Sequence, residues 1–460
     1  MSAPGFRAKV GIAKATGALS RRSGRGGGTT LPGRLLLRMA PDAIPRLAGG
    51  LVDGSTIISA TNGKTTTAGM LAAAMRAAGR DPVHNRAGSN MSWGVATALL
   101  EQRGGEGLFE VDEAWLPRMA TELDPALIVL GNLFRDQLDR YGELEHLADE
   151  WAAMVAERSG RSGFVLNADD PLVADLGRDK ELRRRPGVTY FGIEDASQAL
   201  PELQHAHDAK HCRRCGHPYS YARAFVGHLG HYECPNCGAD RPTPDLAATE
   251  IELLGMRGSR SLVSTPAGEA RLELPLPGLY NVYNALAALS AALRLGIGLE
   301  QAVGALARVE AAFGRVETIP VDGKPVSILL IKNPAGANEV LRTLRLEAAG
   351  NEDLDLWIAL NDGIADGRDV SWVWDADFEL LAGTARRVVC SGTRAPEMAV
   401  RLKYAGIDPR RLIVEPSIER SLDRAVGQAE GALFALPTYT ALIELRRLLT
   451  ARGLAKEYWR

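Results

Sequence analysis

Asn62-Gly63-Lys64-Thr65-Thr66-Thr67 stands where an apolar run, Thr56 to Ser59, gives way to a helical pattern, Ala68 to Ala78, ended by Gly79. A strand, a glycine loop and a helix in that order make a site for nucleotide phosphates. Glycine lets the backbone come close, and amides at the helix N-terminus point at negative charge. The Lys64 ammonium reaches toward outer phosphates, and the Thr65 hydroxyl is a ligand for Mg²⁺. The strict phosphate-loop pattern is not met, because Ile58 rather than glycine stands five residues before Gly63. A glycine turn before a capped helix would look the same at this level.

Cysteines carry the second chemistry. Cys212-x-x-Cys215 and Cys234-x-x-Cys237 are separated by 18 residues, the spacing of a four-thiolate zinc site. Gly216 and Gly238 follow the two pairs and suit the tight turns of such knuckles. Four thiolates fill a tetrahedral shell, so the site is expected to be closed and structural. His211, His217 and His231 flank it as surface or outer groups. Four free buried cysteines are the plain alternative. The fifth, Cys390, lies in an apolar run and reads as an inert buried thiol.

These groups need a scaffold, and the chain is long enough for several cores at 460 residues. Lys plus Arg number 54 and Asp plus Glu 56, so the net charge of -2 gives no reason to expect nucleic acid. No apolar run reaches membrane-spanning length and no secretory signal opens the chain, so a cytoplasmic location is expected. Residues 1–45 are basic and glycine-rich (Arg21, Arg22, Arg25, Gly26-Gly27-Gly28), an arm packed on the body or holding an anionic surface. Apolar strands then alternate with helical patterns: Thr56–Ser59, Ala126–Leu130 and Phe164–Leu166 are expected strands of a doubly wound α/β sheet. The rhythm breaks at about 205–245, the cysteine insertion. Residues 247–278 alternate as an antiparallel hairpin would, and helices are expected at 281–294 and 300–308. A second α/β unit starts at about 321, with strands at 326–331, 354–360, 387–390 and 412–414 and a small parallel, Rossmann-like sheet. The expected organisation is an arm (1–45), an ATPase domain (46–320) with the insertion, and a C-terminal domain (321–460).

Beyond spacing, Ala60 to Thr67 resembles the ATP loop of Mur ligases and folylpolyglutamate synthases. Phe109-Glu110-Val111-Asp112-Glu113 is similar to their acidic strand end, and Asn132 to Asp139 to their Asn-Leu-x-x-Asp-His-Leu-Asp segment. Asn167-Ala168-Asp169-Asp170, Gly278 to Asn284 and Gly314-Arg315-Val316-Glu317 resemble further family elements in family order. The resemblance implies a Mur-ligase-type P-loop ATPase. Thr61, Asn62, Gly63, Lys64, Thr65 and Thr66 would hold ATP, Thr65 and Glu110 would hold Mg²⁺, Asn281 and Asn284 would line the adenine pocket, and Arg315 would reach the phosphates. Two positions depart from the family: Ala60 replaces a glycine, and Gln137 replaces a histidine that helps hold a second Mg²⁺. Residues 1–45 are too short for the N-terminal domain with which most Mur ligases hold a UDP-linked substrate.

A narrower resemblance is to the MurT family, through Leu19 to Gly28, Gly88-Ser89-Asn90-Met91, the cysteine insertion, Lys332-Asn333-Pro334-Ala335-Gly336 and Asn361 to Trp372. It implies ATP-dependent amidation of the D-glutamate α-carboxylate of lipid II, with ammonia from a GatD-type glutamine amidotransferase in a heterodimer. It further implies that this chain lends the partner's Cys-His pair an aspartate, with Asp369 favoured over Asp362, Asp366 and Asp375. Otherwise these acids only cap turns. Competing expectations are a free-standing amino-acid ligase, a zinc-ribbon nucleic-acid module and a non-catalytic ATP-binding scaffold.

Overall fold

The run Ser55–Ser59 is buried along its whole length, as an unbroken apolar run must be when helices cover both faces of a parallel sheet. It is strand β1 of the computed structural model, which describes residues 4–22, 30–86, 89–136, 144–178, 182, 187–204, 207–309, 316–348 and 354–455. The first half continues through β2 (Val83–His84), β3 (Gly107–Glu110), β4 (Leu127–Leu130), β5 (Gly163–Asn167) and β6 (Val188–Ile193). Next come β7 (Ser220–Val226), β8 (Leu229–Glu233), β9 (Leu246–Leu253), β10 (Ser259–Thr265) and β11 (Gly268–Leu274). Nine of these form one sheet in the order β11-β10-β9-β6-β5-β4-β1-β3-β2, and β7 pairs with β8 apart from it.

Pairing is parallel from β2 across to β9 and antiparallel among β9, β10 and β11. The single hairpin expected over 247–278 is therefore a three-stranded meander. Gly258 and Gly268, with φ of 115° and 124°, each reverse the chain where side-chain-bearing residues would be strained. The chain passes from β1 outward to β2, back to β3, then across to β4, so β1 lies between β3 and β4. Connections diverge at its carboxyl end, and such a switch point leaves a crevice for a ligand.

Helices cover both faces. Lys64–Ala77, Leu279–Arg294 and Leu299–Leu306 build one core, and Ser92–Glu101, Leu116–Leu123 and Leu144–Glu157 the other. The helix expected from Ala68 starts four residues earlier, at Lys64. Gly63 takes φ 94° and its carbonyl accepts from Thr67 N at 2.9 Å, which winds Lys64 to Thr67 into the first turn. The basic arm is helical over Pro4–Arg22 and Leu31–Met39. Phe6, Ala13 and Leu36 pack there with Leu100, and Lys9 Nζ donates to Met39 O at 2.6 Å. Arg25 to Gly28 lie outside the described residues.

A second, six-stranded sheet follows: β12 (Glu317–Val321), β13 (Lys324–Ile328), β14 (Leu354–Ala359), β15 (Ala385–Ser391), β16 (Leu412–Val414) and β17 (Leu433–Pro437), ordered β12-β13-β17-β14-β15-β16. The β12–β13 pair is antiparallel and the rest parallel. β17 was not among the expected strands, yet it is central and wholly buried. Five residues ending in proline look like a loop unless flanking strands supply the ladder. Cys390 is buried in β15, and burial pushes its thiol up to about 12. Trp357 is a core residue whose indole donates to Ser421 Oγ at 2.9 Å, whereas Trp374 is half exposed. Among the described residues no helix is long and apolar enough to cross a membrane.

Candidate functional site

The Asn62–Lys64 loop leaves the carboxyl end of β1 and is clamped by the segment after β4. Thr61 N donates to Asn132 O, Asn62 N to Asn132 Oδ1 at 2.9 Å, and Phe134 N to Thr61 Oγ1 at 3.0 Å. These bonds fix the loop without occupying its open side. Ala60, where the family pattern has glycine, is accommodated across the strands: a Cβ on Gly131 would stand 3.0 Å from that of Ala60. Gly63 itself has no room for a side chain, since a Cβ there would meet Asn284 Oδ1 at 1.9 Å.

Carboxylates gather beside this loop. Thr65 Oγ1 donates to Glu110 Oε1 at 2.9 Å, and Glu110 is buried at the end of β3. Adjacent oxygens of an octahedral Mg²⁺ shell, at about 2.1 Å from the ion, lie about 3 Å apart, so the Thr65–Glu110 pair fits that ion. Lys64 is curled back on its own loop, donating to Ala60 O and to Glu113 Oε2 at 2.6 Å. Burial works against its charge, but Glu113, Asp112 and Glu110 outweigh it and hold the ammonium above its usual pKa. Glu113 is lowered in turn: burial opposes its charge and Lys64 prevails. Glu113 was not among the expected site residues, although it closes the acidic segment.

The helix Leu279–Arg294 supplies the opposite wall. Asn284 receives the Thr67 hydroxyl at 3.3 Å and donates to Asn281 Oδ1 at 3.0 Å, while Asn281 donates to Pro277 O. Asn284 faces the cavity; Asn281 stands behind it as a brace. Tyr283 Oη donates to the buried Asp169 carboxylate at 2.6 Å, which also accepts from Ile193 N and Arg241. Asp170 caps Pro171–Ala174 and accepts from Leu133 N, tying the same turn to the loop clamp.

The second sheet closes the cleft. Asn333 exchanges side-chain hydrogen bonds with Asn62, and Lys332 donates to Asp136 and to Thr61 O. The resulting cleft lies between the two sheets and is lined from both of them. Asn62, Gly63, Thr66, Phe134, Tyr280 and Leu330 are among the residues that line it. Of the expected residues, Asn62, Gly63, Thr66 and Asn284 line this cavity, and Thr61, Lys64, Thr65, Glu110 and Asn281 are hydrogen-bonded around it. Arg315 and Gln137 lie outside the described residues.

The four cysteines meet at one point. Their sulfurs all lie within 4.8 Å of one another, with Cys212–Cys237 at 3.6 Å and Cys215–Cys234 at 3.5 Å, and none forms a disulfide. Tetrahedral Zn²⁺ with Zn–S of about 2.3 Å sets sulfurs about 3.8 Å apart, so the donor set fits zinc. Gly216 and Gly238 turn with φ of 72° and 69° and donate to Cys212 O and Cys234 O.

The Mur ligase middle domain family matches residues 58–292 and the MurT ligase C-terminal family residues 330–442. The chain is 31% identical over 437 residues to "Lipid II isoglutaminyl synthase (glutamine-hydrolyzing) subunit MurT" of Staphylococcus aureus (strain N315), covering 94% of this chain and 95% of that one. The chain belongs to the MurT family. The Streptococcus pneumoniae subunit of the same name is 31% identical over 94% of each chain. Among solved structures, a pseudomurein peptide ligase type C from Methanothermus fervidus shares the fold at TM-score 0.67 and 23% identity, over 89% of this chain and 81% of that one. Mycobacterium tuberculosis folylpolyglutamate synthase does so at 0.60 and 16%, over 93% and 99%.

In this MurT-family chain the acidic stretch after β14 divides by environment. Asp366 is buried and bonded by Thr440 and Gly363 N, and burial raises its pKa. Asp362 pairs with Arg394 at 2.8 Å and Asp375 with Arg135 at 3.4 Å. Asp369 is exposed, accepts from Ser371 N at 2.8 Å, and is held below the usual carboxylate range by that amide.

Proposed function

We propose that this chain is the ligase subunit of a glutamine-hydrolysing lipid II isoglutaminyl synthase. It converts the D-glutamate α-carboxylate of lipid II to the amide of D-isoglutamine, at the cytoplasmic face of the membrane. The observation that carries this is the Thr65–Glu110 pair beside the cleft between the two sheets, in a chain similar to named MurT subunits over 94% of its length.

A carboxylate is a poor electrophile. Transfer of the ATP γ-phosphoryl to it gives an acyl phosphate and ADP; ammonia attacks the carbonyl carbon, and inorganic phosphate leaves. Amides of the Gly63 loop cradle the phosphates, with Thr61, Asn62 and Thr66 beside them. Lys64 turns from Glu113 toward the transferring group, where its charge counts most. Thr65 and Glu110 hold Mg²⁺, which supplies charge neutralisation when bound. Asn284 orients the adenine with Asn281 behind it, and Arg315 completes the phosphate contacts. The working parts are the arm 1–45, a P-loop ATPase domain 46–320 with a zinc ribbon at about 205–245, and a Rossmann-like domain 321–460 that binds the partner.

That partner is a GatD-type glutamine amidotransferase. Asp369 orients the partner's Cys-His pair, as the third acidic member of such arrangements does. Its exposure supports this choice over the three internally engaged aspartates. The test is ATP turnover and amidation of lipid II, with the chain alone and with a GatD-type glutaminase added. Amidated lipid II from glutamine only with both chains is the expected result. Turnover by the chain alone with an amino acid would make it a free-standing ligase instead.

A further inference from the structure

The β7–β8 hairpin is rooted in the cysteine cluster but points away from it. Seven residues of β7 rise about 20 Å, so the cluster and the hairpin tip stand at opposite ends of one ladder. The tip, Val226-Gly227-His228-Leu229, is driven into the cleft between the two sheets. Val226 and Leu229 line that cavity, 3% and 2% exposed.

Both halves of the molecule fasten the tip. Gly230 N donates to Asp169 O at 2.9 Å, and Gly227 N to Gln204 Oε1 at 2.9 Å. From the helix Pro334–Glu347, Arg342 donates to Phe225 O at 2.7 Å. His228 is wholly buried, with Nε2 3.3 Å from Asp170 Oδ2 and its ring centroid 4.6 Å from that of Phe134. A Cβ on Gly230 would stand 2.1 Å from Arg223 O, so the hairpin is closed as tightly as the backbone permits. A staple serving only its own module would not need this burial.

The cavity lining holds two chemistries. Phosphates need donors and charge, which Asn62, Gly63 and Thr66 supply. A nucleobase offers flat, weakly hydrated faces that favour apolar walls, and Phe134, Val226 and Leu229 are apolar members of the same lining. We propose that the tip of the cysteine-bound hairpin is the nucleobase wall of this cleft. Val226 and Leu229 are specificity-determining residues for the purine of ATP, and His228 is the positioning residue that seats them against Phe134. The inference rests on the ATP-dependent reading above and goes beyond it, because the insertion becomes part of the nucleotide site.

Calorimetric titration of the full chain with ATP and, separately, with inorganic tripolyphosphate tests it. Tripolyphosphate carries the phosphate contacts and lacks the base. Leu229→Ala is expected to weaken ATP about tenfold, the scale of a lost apolar side-chain contact, and to leave tripolyphosphate unchanged. Leu229→Met keeps the volume and should bind ATP like the parent. His228→Ala should reproduce the selective ATP loss, with His228→Gln recovering part of it. Val226→Thr, which keeps the shape and adds a hydroxyl to the wall, gives a second selective loss if the alanine variant does not fold. Unchanged ATP affinity in Leu229→Ala, or equal weakening of both ligands, would overturn the wall. Tripolyphosphate binding with no preference for ATP in the parent chain would overturn it too, leaving a phosphate site; absence of both would overturn the proposed function and this inference with it.

Discussion

At the residue scale, the Lys64–Glu113 pair joins stability to chemistry. Both side chains are buried, so removing one leaves the other charged and unpaired at a cost of about 3–5 kcal/mol. Lys64→Met should therefore lower both the melting temperature and ATP turnover, the latter by about a hundredfold or more. The double variant Lys64→Met/Glu113→Gln should recover the melting temperature and remain inactive; recovered turnover would remove Lys64 from the mechanism. Asp369→Asn keeps its shape and should abolish glutamine-dependent amidation while sparing ammonia-dependent amidation. Loss of both activities would sink its assignment to the partner's site. Histidines set a pH dependence. Burial, chiefly, lowers His84 to about 4, and does the same for His207. The unfolded chain binds protons below about 6.5 that these folded sites do not, so stability rises with pH from about 4 to about 6.5 and falls on acidification through that window. Thermal melts across it should show the slope, and His207→Gln should flatten it.

At the element scale, the cysteine cluster and the Asp169 turn connect pieces far apart in sequence. One zinc per chain, by order of magnitude, is expected in metal analysis of the purified protein, and Cys215→Ser should lower both the zinc content and the melting temperature. Full zinc occupancy in that variant would show that the four thiolates are not the shell. Tyr283→Phe removes a donor from the buried Asp169 carboxylate and should cost about 1.5–3 kcal/mol, measured by denaturant unfolding. Strands such as Ser55–Ser59 and the helix Leu279–Arg294 were legible because their apolar patterns are local. β17 and the third strand of the meander were not, because short strands exist only through neighbours that the sequence does not mark.

At the scale of the whole molecule, the cleft exists only where the two sheets face each other. Lys332 and Asn333 reach from beyond β13 to Asp136, Thr61 and Asn62, so Lys332→Ala should raise the KM for ATP more than it lowers the melting temperature. A reversed ratio would make Lys332 a purely structural tie. The amino-acid sequence by itself determined the glycine loop, the four-cysteine spacing and the order of family segments, because each depends on neighbours a few positions away. It also determined which residue types carry the chemistry. Tertiary structure alone decided which of them face one another. Glu113 closes on Lys64, Asn281 stands behind Asn284, and His228 of the hairpin tip meets Phe134 and Asp170 from the segments after β4 and β5. Such contacts follow from strand order and from the packing of one sheet on another, and no local pattern encodes those.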